Sequence, residues 1–248
     1  MASRKTLLAT LLVVSLSSFA AISNAASDTV RIVTDPTFPP MEFTKAGQRT
    51  GFDIELTEAL VKEMGKKLEW TDIDFKGLIP AVLSGRADAA VSAIYITDER
   101  KKVVDFTDSY YAGGLVVLTK KDGPIKSLKD LDGKKVSVQV GTKSVKYLQD
   151  NYPKVQRVEV EKNEEMFNLV GIGRSDAAVT GKPAAKLYAQ AHPDLTVLAD
   201  QITTEEYGIA VSKNEPGLTK DFNAALQRLK ANGVYQKIVD KWFEGSAK

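Results

Sequence analysis

Short aliphatic and β-branched runs alternate along the chain with stretches whose apolar positions recur every three or four residues. Residues 30–34 read as a strand, and residues 53–64 as an amphipathic helix with Leu56, Ala59, Leu60 and Met64 on one face. Asp53 is expected to cap that helix and Gly65 to end it. A second helix over about 77–84 leads into a strand at 88–92. Further strands are expected at 115–119, 136–140, 176–180 and 208–211, with a closing helix over about 218–243. Strands alternating with helices in this way predict an α/β fold.

The pattern repeats itself once. Residues 81–92, Ala-Val-Leu-Ser-Gly-Arg-Ala-Asp-Ala-Ala-Val-Ser, match residues 169–180, Leu-Val-Gly-Ile-Gly-Arg-Ser-Asp-Ala-Ala-Val-Thr, at seven of twelve positions. Each copy reads as a helix end, a glycine turn and a buried strand that finishes on a hydroxyl residue, Ser92 or Thr180. Shared Gly-Arg-x-Asp-Ala-Ala-Val is more than hydrophobic patterning, so two related α/β units are predicted. Two copies are too few for a solenoid.

Composition narrows the chemistry. Hydrophobic residues make up 43% of the 248, enough to pack a core. With 34 Lys+Arg against 32 Asp+Glu there is no basic stripe to neutralise a phosphate backbone, so no nucleic-acid partner is expected. The absence of cysteine removes disulfides, thiolate metal sites and thiol nucleophiles, and a single histidine, His192, leaves little metal or acid–base chemistry. Neither a metal nor another cofactor is expected.

Arg4 and Lys5 precede an apolar run over residues 7–22 that ends in Ser23-Asn24-Ala25. That order predicts a cleavable secretory signal over residues 1–25, cut before Ala26. The mature remainder is formally neutral, so any charge recognition falls to particular residues. No second hydrophobic span follows, and a soluble, exported, monomeric protein is expected.

In open α/β sheets ligands gather at the carboxyl ends of strands, where helix starts and loop amides face a crevice. Four such ends stand out. They are Thr34-Asp35 before Pro36-Thr37-Phe38-Pro39-Pro40, Ser92-Ala93-Ile94-Tyr95 before Ile96-Thr97-Asp98-Glu99-Arg100, Val140-Gly141-Thr142-Lys143-Ser144, and Thr180-Gly181-Lys182-Pro183. If the two units face each other, all four line one cleft. Gly141 to Ser144 lack the upstream glycine of a phosphate loop.

Those ends, together with Gly51-Phe52-Asp53, Asp74-Phe75-Lys76-Gly77, Ile96 to Lys102, Asp105-Phe106, Ser127 to Leu131, Tyr207-Gly208-Ile209-Ala210 and Lys241-Trp242-Phe243, resemble one family over essentially the whole mature chain. The chain is similar to periplasmic solute-binding proteins of the polar amino acid ABC uptake family, most of all to glutamine-binding proteins. The resemblance implies a type II binding-protein fold of two α/β lobes joined by a two-strand hinge. The large lobe would be discontinuous, residues 26–111 and 206–248, and the small lobe would be 112–205. Hinge residues would include Gly113, Gly114, Glu206 and Tyr207, although such glycines are equally common in plain turns. It also implies capture of a small polar, glutamine-like amino acid or related carboxylate in the periplasm, closure around it, and delivery to an inner-membrane ABC permease.

Residue by residue, the resemblance places Arg100 on the ligand carboxylate, with the amides at Thr142 and Lys143 completing the anion site and Gly141 in the same turn. Physically, a guanidinium is the permanently charged, bidentate partner such a group needs. Read without the motif, Arg100 is equally a surface arginine in the charged run 98–102, and Thr142 an ordinary strand-to-helix turn. Phe38 and Phe75 match an aromatic pair that sandwiches the ligand, core packing being the alternative. Asp35 matches a side-chain-recognition position, with an Asx turn before Pro36 as the alternative. Ser92, Ala93, Tyr95, Thr180 and Gly181 complete the expected lining.

Three of these positions depart from the family pattern. Gly181 stands where an Asp usually holds the α-ammonium, Tyr95 replaces a small hydroxyl residue, and Ala93 replaces the Gly or Ser before it. A ligand without a free α-ammonium, or a dehydratase-type enzyme on the same fold, are therefore the other readings. No acid–base pair stands out by spacing, and the chain is read as a binder with no catalytic residues.

Overall fold

The computed structural model describes residues 28–244; the predicted signal segment lies outside the described residues. The first part of the chain runs β1 (Thr29–Thr34), the small antiparallel ribbon β2 (Thr37–Phe38), β3 (Glu42–Lys45) and β4 (Gln48–Thr50), then α1 (Phe52–Glu63), β5 (Lys67–Asp72), α2 (Leu78–Leu83), β6 (Ala89–Ala90), α3 (Asp98–Lys101) and β7 (Asp105–Phe106). After β8 (Tyr111–Ala112) come β9 (Leu115–Lys120), β10 (Lys135–Gln139), α4 (Lys143–Asn151), β11 (Gln156–Val160), α5 (Asn163–Gly171), β12 (Ala177–Gly181), α6 (Lys182–Ala191) and β13 (Leu195–Val197). The chain then returns through β14 (Glu206–Tyr207) and β15 (Ala210–Val211) to α7 (Pro216–Ala231) and α8 (Val234–Val239).

Two five-stranded sheets result, in the orders β5-β1-β6-β15-β7 and β11-β10-β12-β9-β13. In each, the first two pairings are parallel and the last two antiparallel. The sequence repeat explains the likeness, because its two strands, β6 and β12, take the central place in their sheets. Both are buried on every residue, as small alanines packed under helices on both faces require. The sheets are tied where β8 pairs with β14.

The strand at 88–92 shrinks to two residues, and of the stretch at 208–211 only Ala210–Val211 form a strand, β15, with β14 lying just before it. The closing helix is broken as well. Gly233 adopts φ 79°, which ends α7 and starts α8. Asp53 does not cap α1; Gly51 holds that place, because a Cβ there would run into the Met41 carbonyl. Instead Asp53 points into the core and accepts hydrogen bonds from the Ala93 amide (2.7 Å) and the Tyr110 hydroxyl (2.9 Å). His192 follows the end of α6 with its ring stacked on Tyr188.

Candidate functional site

All four strand ends converge on one cleft between the sheets. Asp35, Phe38, Phe75, Ser92, Ala93 and Tyr95 line it from the first sheet, while Thr142, Thr180 and Gly181 line it from the second and Tyr207 lies at its base. The space between them is about 440 Å³ counting its open mouth. Arg100 and Gly141 line the adjoining depression, which shares Phe75, Thr142 and Lys143 with the cleft. Among the expected hinge residues, Gly113, Gly114 and Glu206 lie outside the lining and beside the β8–β14 pair.

The Thr97-Asp98-Glu99-Arg100 run is a capped turn. The Thr97 hydroxyl oxygen accepts from the Arg100 amide at 3.2 Å, which fixes the start of α3 and aims the guanidinium toward the cleft. Arg100 donates to the carbonyls of Tyr95 (3.0 Å) and, across the cleft, Gly141 (3.4 Å), and its guanidinium lies 5.7 Å from the Phe75 ring centre. Among the described residues it forms no ion pair, and burial pushes its pKa down to about 10. A desolvated cation satisfied only by carbonyls is a receptor for an anion.

Opposite it, Gly141 takes φ 77°, and a Cβ there would lie 3.0 Å from the Lys76 Cα. Glycine lets this turn meet the first unit. Thr142 is the N-cap residue of α4, its hydroxyl donating to the Gln139 carbonyl at 2.7 Å, and Ser144 in the first turn is buried. Lys143 forms an ion pair with Glu205, and burial lowers its pKa.

Asp35 is almost wholly buried, and four donors reach it. Thr37 Oγ1 and Lys162 Nζ donate to Oδ1, each at 3.2 Å, while the Phe75 amide (3.2 Å) and Gln139 Nε2 (2.8 Å) donate to Oδ2. Burial raises its pKa despite the Lys162 ammonium. Gln139 Oε1 accepts from Asn163 Nδ2 at 3.1 Å, so a polar chain crosses the cleft. Lys143 and Ser144 belong to one of the four strand ends read from the sequence, whereas Gln139, Asn163, Lys162 and Glu42 join the site only in the structure. Gln139 ends a strand just before Gly141 and carries that positional signal; Lys162 acquires its role only when the two sheets meet.

Behind the cleft wall lies a buried acid pair. Glu42 Oε1 accepts from the Ser92 hydroxyl at 2.7 Å, and that hydroxyl oxygen accepts from the Asp35 amide at 3.2 Å. Burial, and then the neighbouring Asp53, push Glu42 well above the usual carboxylate range, whereas Asp53, held by Ala93 and Tyr110, is raised by burial to about 6. Ala93 itself adopts φ 45°, a left-handed conformation that its bond to Asp53 helps hold.

The wall around Gly181 is formed by the Tyr207 and Tyr95 hydroxyls and the Phe38 ring. A Cβ at Gly181 would lie 2.5 Å from the Tyr207 hydroxyl and 3.0 Å from the Phe38 ring, so Tyr207 and Phe38 fill the space that a side chain would need. The Tyr95 and Tyr207 rings pack at 4.7 Å with their hydroxyls 3.3 Å apart. Among the described residues no group of His, Cys, Asp and Glu is arranged to hold a metal, and no helix is long and apolar enough to cross a membrane.

Comparison with known proteins gives this geometry a context. The model of the bacterial extracellular solute-binding proteins, family 3, matches residues 30–245. The ABC transporter arginine-binding protein 1 of Escherichia coli K12 is 35% identical, the match covering 88% of this chain and 92% of the relative. The glutamine-binding protein GlnH of Bacillus subtilis 168 is 32% identical, with 92% and 85% covered. An ancestral arginine-binding protein solved with arginine superposes with a TM-score of 0.83 at 39% identity, covering 87% of this chain and 98% of the other.

Proposed function

This chain belongs to the bacterial extracellular solute-binding proteins of family 3, an amino-acid-binding group of two-lobed ABC transport proteins, and from that premise we propose that it captures a small amino acid by closing its lobes. The captured ligand is then passed to an inner-membrane ABC permease. The observation that carries this reading is Arg100, a partly buried guanidinium between the lobes whose hydrogen-bond acceptors among the described residues are carbonyls. A ligand carboxylate placed between Arg100 and the first amides of α4 gains charge-assisted hydrogen bonds from both lobes at once.

Phe38 and Phe75 cover the aliphatic part of the ligand, and Ser92, Thr180 and the carbonyls of the 93–95 turn offer acceptors to its amine. A glutamine-like side chain suits the neutral Gln139–Asn163 network. Bridging favours the closed form of an existing equilibrium, and no covalent step or cofactor enters. The lobes exchange chain at residues 111/112 and 205/206, and the β8–β14 pair with Gly113 and Gly114 serves as hinge. Export by cleavage before Ala26, a monomeric free form, and binding rather than catalysis belong to the same proposal.

One observation favours a second ligand class. Gly181 brings no carboxylate and its surroundings admit none, so an acid without a free α-ammonium fits the cleft without leaving a buried charge unpaired. Calorimetry on unfolded and refolded protein tests both readings, with glutamine against its N-acylated and amine-free analogues. Arg100→Ala is expected to weaken the preferred ligand more than tenfold with its circular dichroism spectrum unchanged; equal affinity overturns the carboxylate assignment.

A further inference from the structure

Relatives of this chain are named for arginine as well as glutamine, and the surroundings of Asp35 bear on that choice. We propose that Lys162, with Gln139, is a specificity-determining residue that withdraws Asp35 from the ligand and closes the cleft to cationic side chains, leaving it to carboxylates whose other end is uncharged. The inference deepens the amino-acid reading above and rests on it.

The argument begins with lone pairs. An ionised carboxylate offers about four acceptor sites. At Asp35 all four are taken, by Thr37 and Lys162 on Oδ1 and by the Phe75 amide and Gln139 on Oδ2. Two of those donors, Lys162 and Gln139, come from the second lobe, so the saturation is completed as the lobes meet. A ligand guanidinium or ammonium reaching for Asp35 would find no free acceptor on it.

Charge reinforces geometry. Lys162 approaches Asp35 from the outer side, in the depression beside Thr37 and Asp74, and also holds Asp74 at 2.7 Å. Its ammonium neutralises the one acid that faces the cleft beside Phe75, and Gln139 presents an amide on the inner side. Of the other nearby acids, Glu42 also lines the cleft, where it accepts from Ser92 on Oε1 alone and burial favours its neutral form, and Glu205 pairs with Lys143. Arg100 remains, a cation with no ion pair among the described residues, so the field inside the cleft favours anionic or neutral ligands and disfavours a second cation. Discrimination by an unpaired charge is stronger than discrimination by shape alone.

The experiment is calorimetry of refolded wild-type protein, Lys162→Met and Lys162→Gln with arginine and with glutamine. Wild-type protein is expected to prefer glutamine at least tenfold. Both variants are expected to raise the arginine-to-glutamine affinity ratio at least tenfold, and adding Asp35→Asn to Lys162→Met should abolish that gain. Wild-type protein that binds arginine as tightly as glutamine, or a ratio that moves less than twofold in both variants, overturns the proposal while leaving the Arg100 reading in place. Binding of neither ligand by wild-type protein overturns the amino-acid reading and this inference with it. Far-ultraviolet circular dichroism confirms that each variant is folded, and Lys162, half exposed, is a position where substitution leaves the core intact.

Discussion

The Tyr207 hydroxyl occupies the space in which a side chain at Gly181 would begin, 2.5 Å from the Cβ position. Tyr207 is fully buried and its hydroxyl meets that of Tyr95, so it has little room to retreat. Gly181→Ala is expected to destabilise the protein by about 1–3 kcal/mol, the usual range for overpacking a filled site. In a Tyr207→Phe background the same substitution should cost less, since the colliding oxygen is gone. A double-mutant cycle by urea denaturation reads the coupling directly; additive effects would show that the two residues do not compete for one space. A single substitution therefore cannot restore an acid at this position without clearing Tyr207 first.

Arg100→Lys keeps the charge and removes the fork. If the guanidinium grips a carboxylate with two parallel hydrogen bonds, lysine should bind the ligand at least tenfold more weakly. A lysine also forfeits the paired donation to the Tyr95 and Gly141 carbonyls that positions the group between the lobes. Retained affinity in calorimetry would reduce Arg100 to a point charge.

Glu42 and Asp53 set a pH dependence whose sign follows from their burial. Asp53 rises from an ordinary 3.8 to about 6 in the folded protein, and burial, with Asp53 beside it, also raises Glu42 well above the usual carboxylate range. The folded state thus holds protons that the unfolded state has released, and stability falls as pH climbs from about 4 through 6 and beyond. Glu42→Gln removes one of the two titrations and keeps a group able to meet Ser92 and Asp53. The difference in Tm, variant minus wild type, should grow in the variant's favour between pH 5 and pH 9. A constant difference across that range would mean that Glu42 is not the group losing its proton.

Much of this architecture is written locally. The twelve-residue repeat places a strand of small residues at the centre of each sheet, and strand ends carrying Asp35, Ser92, Thr142 and Thr180 meet because the sheets share one topology. Arg100 is legible because its own turn, capped by Thr97, aims it. Lys162 and Asn163 are not legible, since the bonds that bring them to Asp35 and Thr37 span more than a hundred residues and form only across the cleft. Asp53 illustrates the opposite error. Its position at a helix start suggests a cap, yet the Ala93 amide and the Tyr110 hydroxyl claim it from other elements, and the close approach of Met41 gives the cap to Gly51.

Gly141 separates the cost of a backbone conformation from the cost of lobe closure. At φ 77° an alanine is strained wherever the lobes are, by about 1 kcal/mol. Its Cβ would in addition sit 3.0 Å from Lys76 Cα and Cβ, and Lys76 belongs to the other lobe, so that contact exists only when the cleft is shut. Gly133 provides the control: it has φ 73° and nothing within 4 Å of its Cβ position. Both alanine variants should therefore lose similar thermal stability in the absence of ligand. Gly141→Ala alone should bind ligand more weakly, by about tenfold if the closed form loses about 1.4 kcal/mol, and small-angle scattering with saturating ligand should show a less compact particle. Equal affinities for the two variants would mean that the turn does not press on Lys76 in the bound state, and that closure around the ligand is looser than the contacts between Gly141, Lys76 and Arg100 imply.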